Sequence, residues 1–369
     1  MKTATLFISS LTLAMSSCLY LPAIDDDGYT ACTTDADCGV GFSCAVDVNL
    51  CAPPAWRDPA FEQRRAIVVT NASDVALAAG TAIPVEVGAG GTLALDEVKP
   101  DARWTDFVDG AWREQPVFID RFDDRFTVWA PVSRPLPAGS SDVLVYLEQV
   151  TTEGSTVEPR PLETFAFFDD LDGFDADDDD RYFVVAPGGG NLRIDNDAGL
   201  LGIGDNTQVT WKTALLPPFS TTFKARVVGL NCEKASIGLI GDDGAIGFAA
   251  PWAVFFIGAD LQTIVEVAPE SDEQFDDQLM LPAAFSEQPN ALHRFSIDVD
   301  DNFVRFAVDG VTFFEDELRA SYAADRPLFP MIDVDGDCSI EVETVWSTPL
   351  PRDKPTLQAG EPIVFNPTY

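Results

Sequence analysis

The chain has 369 residues, of which 46% are hydrophobic and 11% aromatic, and its formal net charge is -38. The length predicts two or three domains, and this apolar content excludes wholesale disorder. A surface this negative repels phosphate groups, so the charge excludes nucleic acid as a partner. The acidity itself has three interpretations: solubility in a salty medium, calcium loading, or attraction of a cationic partner. Solubility is the default.

The first residues have the pattern of an export signal. Lys2 gives a positive start, and the apolar stretch 4–15 is too short to span a bilayer. The motif MSSC ending at Cys18 resembles the bacterial lipobox, which implies that residues 1–17 are a signal peptide and that Cys18 is lipidated. By the same resemblance, Leu19 after the cysteine implies an outer-membrane protein, partnered with the membrane through this anchor. The alternative is ordinary secretion with a chance cysteine.

The remaining cysteines predict disulfides. Without Cys18, six of the seven are left, an even number. Four lie in the motif CTTDADCGVGFSCAVDVNLC, which resembles small cysteine-rich modules similar to the dickkopf N-terminal repeat. Residues 18–55 are too few to bury a core, so we expect a tether and a disulfide module, with zinc as the alternative. Three pairings are open within the module, and the two distant cysteines are expected to pair with each other. The six are Cys32, Cys38, Cys44, Cys51, Cys232 and Cys338.

Residues 56–162 alternate apolar and polar side chains in short runs separated by turn residues, which predicts a β-sandwich-like domain. The stretch DEVKPDARWTDFVDGAWREQPVFIDRFDDRFTVWAPVSRPLPAGSSDVLVYL resembles the bacterial domain-of-unknown-function family numbered 2341. This resemblance implies an architecture and a surface context but no established activity. Asp101 and Arg103 share one face of a strand, and we interpret them as a structural ion pair or a turn-stabilising contact, with a polar binding face as the alternative.

Residues 163–350 continue the strand pattern. The stretch LHRFSIDVDDNFVRFAVDGVTFFED contains two alternating strands around a tight turn, followed by Val-Asp-Gly. It is similar to concanavalin A-like and laminin G-like jelly rolls, in which a histidine often precedes the first strand, as His293 does. The whole chain is therefore predicted to be all-β: a small disulfide-rich N-terminal module, a β-sandwich-like domain, a concanavalin A-like jelly-roll sandwich and, over 351–369, a tail.

The sequence offers little for catalysis. His293 is the only histidine and there is no Gly-x-Ser-x-Gly elbow, so we expect it to be structural. Glycosidases need two carboxylates, and Glu341 and Glu343 alternate onto one strand face, roughly 6.6 Å apart. The Glu-x-Asp-x-Glu motif of jelly-roll glucanases would need a third acid at position 345, which is Val345. We predict no catalytic residues and no enzyme activity.

Calcium is the only ion that the composition favours, because carboxylate oxygens are its preferred ligands. The segment 333–337 resembles an EF-hand loop only superficially, since its glycine falls at the wrong place. No other cofactor is predicted. An acidic loop supplies the candidate calcium ligands Asp170, Asp172, Asp175 and Asp177, although a solvated charge run is the simpler interpretation.

A glycan site would use aromatic platforms, for which Trp211, Trp252 and Trp346 are the candidates, although tryptophan in a sandwich is more often core. The leading hypothesis is a surface lipoprotein that binds a glycan or another envelope component without turning it over. The alternatives are a protein-contact scaffold or adhesin, and a jelly-roll glycoside hydrolase. An open groove lined by exposed aromatics would favour sugar binding, and a filled face would favour a scaffold.

Overall fold

The computed structural model describes most of the chain from residue 32 onward. The described ranges are 32–38, 43–45, 50–52, 61–98, 102–108, 111–121, 125–150, 160–178, 180–186, 191–195, 199–244, 251–257, 262–270, 273–280, 290–300, 303–316, 326–351, 353–360 and 363–364. Within them, no helix has both the length and the apolar character needed to span a bilayer. The predicted signal peptide and Cys18 lie outside these ranges.

The N-terminal module is a small hairpin held by disulfides. A 3-10 turn covers Asp35–Asp37, and strands β1 (Ser43–Ala45) and β2 (Leu50–Ala52) pair in antiparallel register. Disulfides join Cys32 to Cys44 and Cys38 to Cys51. The disulfide prediction is confirmed for these four cysteines. The zinc alternative is wrong, because a thiol in a disulfide is no longer a thiolate ligand.

The first β unit consists of two antiparallel sheets. Its strands, apart from two at the C-terminus, are β3 (Phe61–Thr70), β4 (Ala82–Val87), β5 (Arg103–Val108), β6 (Ala111–Glu114), β7 (Phe118–Arg121), β8 (Phe126–Pro131) and β9 (Ser141–Val150), and a 3-10 turn covers Leu95–Glu97. The sheet orders are β3-β9-β5-β6 and β4-β8-β7. Alternate side chains of both sheets, such as Val69, Val85 and Val128, form one buried core.

The second β unit follows a short helix α1 (Pro161–Thr164). Its strands are β10 (Phe167–Asp169), β11 (Tyr182–Val185), β12 (Leu192–Asp195), β13 (Leu200–Gly204), β14 (Thr207–Trp211), β15 (Phe219–Ile240), β16 (Trp252–Ile257), β17 (Gln262–Glu270), β18 (Glu273–Met280), β19 (His293–Val299), β20 (Val304–Val308), β21 (Val311–Asp316) and β22 (Phe329–Pro349). All their pairings are antiparallel.

Two long strands connect both layers of this unit. β15 has 22 residues and β22 has 21, and they pair along nearly their full length, with register shifts between Val228 and Asn231 and between Cys232 and Lys234. The start of β15 and the end of β22 belong to a front half-sheet with β10, β12, β13, β19, β20 and β21. Their other halves belong to a back half-sheet with β11, β14, β16, β17 and β18. Bulges bend a strand, so these two pass from one layer to the other.

The half-sheets face each other across a shared core. The Phe255 ring, from β16 of the back half-sheet, lies edge to face on Phe295 and Phe306 of the front half-sheet, with centroid separations of 5.5 and 4.8 Å. All three rings are fully buried. The predicted all-β architecture with a jelly-roll sandwich is confirmed.

The C-terminal segment returns to the first β unit. Strands β23 (Thr356–Ala359) and β24 (Ile363–Val364) both pair with β3. Residues 351–369 were expected to be a tail, but two parts of this segment are sheet strands. The second β unit therefore lies, in sequence, between β9 and β23 of the first, and the chain connects the two units twice.

Candidate functional site

The two β units meet around a buried ionic centre. Asp120 of β7 has a fully buried side chain, with Lys224 Nζ 2.9 Å and Arg294 Nε 2.6 Å from its two carboxylate oxygens. Lys224 also lies 3.0 Å from Glu343, and Arg294 donates a hydrogen bond of 2.9 Å to Thr127 of β8. Two cationic side chains of the second unit thus form ion pairs with one carboxylate of the first unit.

An aromatic cluster extends this contact. Trp346 of β22 lies against Trp129 of β8, with ring centroids 6.1 Å apart, and Phe118, Phe165 and Phe168 pack around the pair. Trp346 is only 1% exposed. Its predicted role as a sugar platform therefore has no support, because the Trp346 ring is surrounded by side chains of the two β units.

Trp211 is a core residue of the second unit. It is 1% exposed, and its Nε1 donates a hydrogen bond of 2.8 Å to Asp169. The same carboxylate accepts a bond of 2.6 Å from the Tyr182 hydroxyl. Burial, and then the bond to Asp169, raise the pKa of Tyr182 well above its ordinary value. The group forms a buried hydrogen-bond network, and Trp211 has no surface to offer a ligand.

Trp252 lies on the outer face of the back half-sheet and is half-buried. It packs against a buried apolar cluster on that face, made by Ile240, Val254, Phe256, Phe329 and Met331. The Trp252 ring therefore contacts apolar side chains of its own half-sheet. None of the three candidate tryptophans is an exposed platform.

Glu341 and Glu343 are both held by cations of β15. Arg226 Nε donates a hydrogen bond of 2.6 Å to Glu341, and Lys224 Nζ donates one of 3.0 Å to Glu343. In the β15–β22 register Ala225 faces Val342 and Lys224 faces Thr344, so Glu343 is the extra residue of a bulge. The regular alternation expected of this pair is broken. Each glutamate is therefore already engaged by a cation of β15, whereas a glycosidase uses both of its carboxylates on the substrate.

His293 begins β19 and has a structural partner. Its Nδ1 lies 2.7 Å from Asp309, whose other oxygen accepts the Arg294 backbone N–H at 2.9 Å. Asp309 and Gly310 have φ of 52° and 79° and form the turn between β20 and β21. The contact therefore fastens this turn to the start of the neighbouring strand.

The acidic loop does not gather its carboxylates. Asp170 accepts a bond of 3.1 Å from the Asp172 backbone, and Asp175 one of 3.0 Å from Asp177, as in local turns. All four side chains are exposed. Among the described residues, the only group of three close metal-ligand side chains is made of disulfide cysteines. The calcium prediction gains no support.

Two further predictions concern residue pairs of which the structure describes only one partner in full. Cys338 is disulfide-bonded, and the backbone of Cys232 lies opposite Gly336 on the neighbouring strand. The Cys232 side chain lies outside the described part, so this pairing stays a prediction. Arg103 faces Glu148 across β5 and β9, whereas its expected partner Asp101 lies outside the described residues.

A surface cleft of about 510 Å³ lies on the outer face of the front half-sheet. Gly202 of β13 forms its floor between Arg193 of β12 and Glu341 of β22, and these residues face one another across paired strands. Arg226 faces Glu341 in the next strand. The other residues that line the cleft are Asn191, Gly204, Asp205, Val228, Gly336, Asp337, Cys338 and Ser339.

Residue identity keeps the cleft open. A Cβ on Gly202 would lie 3.8 Å from the Glu341 Cγ, and one on Gly204 would lie 2.7 Å from the Asn191 Cβ. The neighbours of these glycines, Leu201 and Ile203, point into the core instead. Two glycines on the outward side of one strand therefore leave a slot that larger side chains would fill.

Sequence reasoning missed both the ionic centre and the cleft. The alternation Leu-Gly-Ile-Gly over 201–204 is a detectable signal, because it gives β13 an apolar face and a face without side chains. Nothing in the sequence singled out Asp120, since its partners lie more than a hundred positions away along the chain.

Comparisons with known proteins leave the family open. No family model and no curated protein matches the chain, so the resemblance to the 2341 family gains no support. Among solved structures, the chain is similar to an endo-β-1,3-glucanase from Pyrococcus furiosus, with 13% identity over 53% of this chain and 95% of that one, at a TM-score of 0.38. A glycoside hydrolase family 16 endo-glucanase from Bacteroides ovatus shows 13% identity over 49% and 99%, at 0.37. An immunostimulatory antigen and pseudo β-1,3-glucanase of Mycobacterium tuberculosis shows 12% over 50% and 99%, at 0.38. Similarity this low carries no argument about activity or ligand.

Proposed function

We propose that this chain is a non-catalytic scaffold of the bacterial cell envelope, in which two β sandwiches form one rigid body. Of the hypotheses drawn from the sequence, glycan binding through tryptophans required exposed rings, and hydrolysis required a free pair of acids. Trp211 and Trp346 are buried, Trp252 is half-buried against an apolar cluster, and both glutamates are ion-paired. The scaffold hypothesis requires neither exposed tryptophan rings nor a free pair of acids.

The contact between the units carries this proposal. Burying a carboxylate is costly unless it is paired, so the Asp120 centre stabilises only the arrangement in which Lys224 and Arg294 are in place. The double chain connection further limits hinge motion. A rigid body with fixed outer surfaces is what a scaffold must supply to its partners.

X-ray scattering and calorimetry of residues 24–369 test the rigidity. We expect the native protein to unfold in one cooperative transition and to scatter as a single compact particle. Asp120→Ala removes the carboxylate that Lys224 and Arg294 share across the contact, so it should split the transition and increase the maximum dimension. Asp142→Ala is the matched control, because it removes a partner of the exposed Arg134 in the same unit. Independent unfolding of the two units in the native protein would refute the proposal.

Anchoring through Cys18 is the second part of the proposal. It is supported by the lipobox-like motif and by the even number of cysteines that lipidation leaves. Mass spectrometry of the native protein should show an acylated N-terminal cysteine and Leu19 as the next residue. An N-terminus at another position, or an unmodified Cys18, would contradict the anchor and the outer-membrane location.

The glycosidase alternative has its own test. The native protein should not hydrolyse β-glucans at a rate above background. Turnover that disappears in Glu341→Gln would replace the scaffold with an enzyme. Turnover that persists in this variant would point to contaminating activity, and the scaffold proposal would stand.

A further inference from the structure

We propose that the ion pair between Lys224 and Asp120 condenses to an amide, so that a side-chain isopeptide bond joins the two β units. This modification deepens the scaffold proposal and rests on the same contact between the units. It adds what ion pairs cannot supply, because an amide keeps the two units joined even when both are unfolded.

The reacting groups lie in contact in a site with little access to water. Lys224 Nζ is 2.9 Å from one Asp120 oxygen, and the two side chains are 8% and 0% exposed. The Arg121 carbonyl oxygen lies 3.4 Å from the same nitrogen and holds the end of the lysine side chain near this strand. Folding thus places an amine beside a carboxyl carbon, and well-oriented groups of this kind react at effective concentrations of about 10⁵–10⁸ M.

The Asp120 carboxylate is poorly satisfied as an ion. Both of its oxygens are buried, and neither accepts a hydrogen bond of good geometry from the described residues, despite the short ion-pair distances. A buried oxygen without a hydrogen bond is costly. Amide formation removes one of these oxygens, together with two opposite charges from a site in which charges are costly to bury. The product therefore leaves fewer buried polar groups than the ion pair does.

Glu343 is placed to move the protons. Its carboxylate lies 3.0 Å from Lys224 Nζ, and its side chain is 33% exposed. A protonated amine is not a nucleophile, so a base must first take a proton from Nζ, and a carboxylate within hydrogen-bond distance can do so. Glu343 reaches this position as the extra residue of the β22 bulge.

Arg294 is placed to stabilise the charge that develops on the carboxyl group. Its Nε lies 2.6 Å from the second Asp120 oxygen, which carries the negative charge of the tetrahedral intermediate. Arg294 also donates a hydrogen bond of 2.9 Å to Thr127, so the guanidinium is fixed before the reaction begins. A cation held in advance beside a developing oxyanion lowers the barrier.

The reaction balances without any other reactant. The bond between Lys224 Nζ and Asp120 Cγ forms, and the bond between Cγ and the oxygen nearer the lysine breaks. Two protons of the ammonium group go to the departing oxygen, one of them through Glu343, and the third stays on the amide nitrogen. One water molecule leaves, and nothing is oxidised or reduced.

Peptide mapping of the native full-length protein by mass spectrometry tests the amide. Trypsin does not cut after an acylated lysine, so the cross-linked product is residues 114–121 joined to residues 213–226. Its mass is the sum of the two peptides less one water. We expect this joined peptide from most chains. Recovery of the separate peptides 114–121 and 213–224 from most chains would overturn the proposal.

Matched variants test the chemistry in chains refolded from denatured inclusion bodies. Glu343→Gln keeps the size of the side chain but cannot accept the proton, so the joined peptide should form ~100-fold more slowly. Glu341→Gln is the control, because this glutamate of the same strand is ion-paired with Arg226. Lys224→Arg keeps the positive charge without an amine and should give only separate peptides. Equal rates in the two glutamine variants would overturn proton transfer through Glu343.

The amide and the scaffold can fail separately. Glu343→Gln keeps both cations of the Asp120 centre, so it should still scatter as one compact particle. Compact scattering of native protein without the joined peptide would refute the amide and leave the scaffold. Independent unfolding of the two units in chains that carry the joined peptide would refute the scaffold alone. Unfolding free energies for other variants of this centre are compared in the Glu343→Gln background, in which only ion pairs connect these side chains.

Discussion

Asp120 and Lys224 form an ion pair of 2.9 Å between side chains that are 0% and 8% exposed, and each belongs to a different β unit. Arg294 completes the centre from a second strand of the same half-sheet. Their strands are far apart in the chain, so this contact exists only when both units are folded and joined. This centre is the most sensitive point at which to perturb the contact between the two β units.

Lys224→Met should destabilise the protein by about 3 kcal/mol, because it leaves Asp120 buried with one of its two cations. The free energy of unfolding from urea titration measures this loss. Arg134→Met is the control, since the Arg134 side chain is 71% exposed and its ion pair with Asp142 should contribute less than ~1 kcal/mol. Equal losses of unfolding free energy in the two variants would show that the Asp120 centre stabilises the protein no more than an exposed ion pair does.

Trp211→Phe should cost about 1–3 kcal/mol, because it removes a donor from the buried Asp169 carboxylate. Chemical denaturation measures the loss. Tyr182 keeps its own hydrogen bond to Asp169 in this variant, so the loss should stay within this range. An unchanged free energy of unfolding would show that the bond from Trp211 contributes nothing to stability.

Acid should weaken the turn fastened by Asp309. Burial raises the pKa of this carboxyl, but the bonds from His293 and the Arg294 backbone outweigh burial and leave it below its ordinary value. Its contribution to stability is therefore complete above the unfolded pKa of about 3.9 and is lost as pH falls through the lower folded pKa. Urea titrations between about pH 2 and pH 5 should show a shallower decline for Asp309→Asn, which tolerates the positive φ. Identical declines would contradict this role.

The N-terminal module should unfold when one of its two disulfides is removed. Cys38→Ala together with Cys51→Ala removes a disulfide that spans 13 positions, and such loops contribute about 3 kcal/mol. Limited proteolysis should then cut within residues 32–52, while the two β units keep their native melting temperature. A protected module in the double variant would show that packing, and not the disulfide, maintains it.

The short-range pattern of apolar and polar residues predicted the fold class correctly. Period-two alternation, as in Phe295, Ile297 and Val299, requires only that one strand face be buried, and these residues do lie in the core. Cysteine spacing likewise predicted a disulfide module, since a segment so short has no other means of stability. The pairing itself, Cys32 with Cys44, came only from the structure.

Tertiary contacts decided everything that concerns the site. Trp211, Trp252 and Trp346 are the same residue type in strand-like surroundings, yet one lies in the core, one on an outer face and one between units. The residues of β23 and β24 have no sequence pattern that distinguishes them from a tail. They are strands because they pair with the edge of β3. The sequence by itself determined which faces are apolar, because that depends on neighbours a few positions apart. Only the tertiary structure decided what each face meets, because the partner of Asp120 is brought to it by the path of the whole chain.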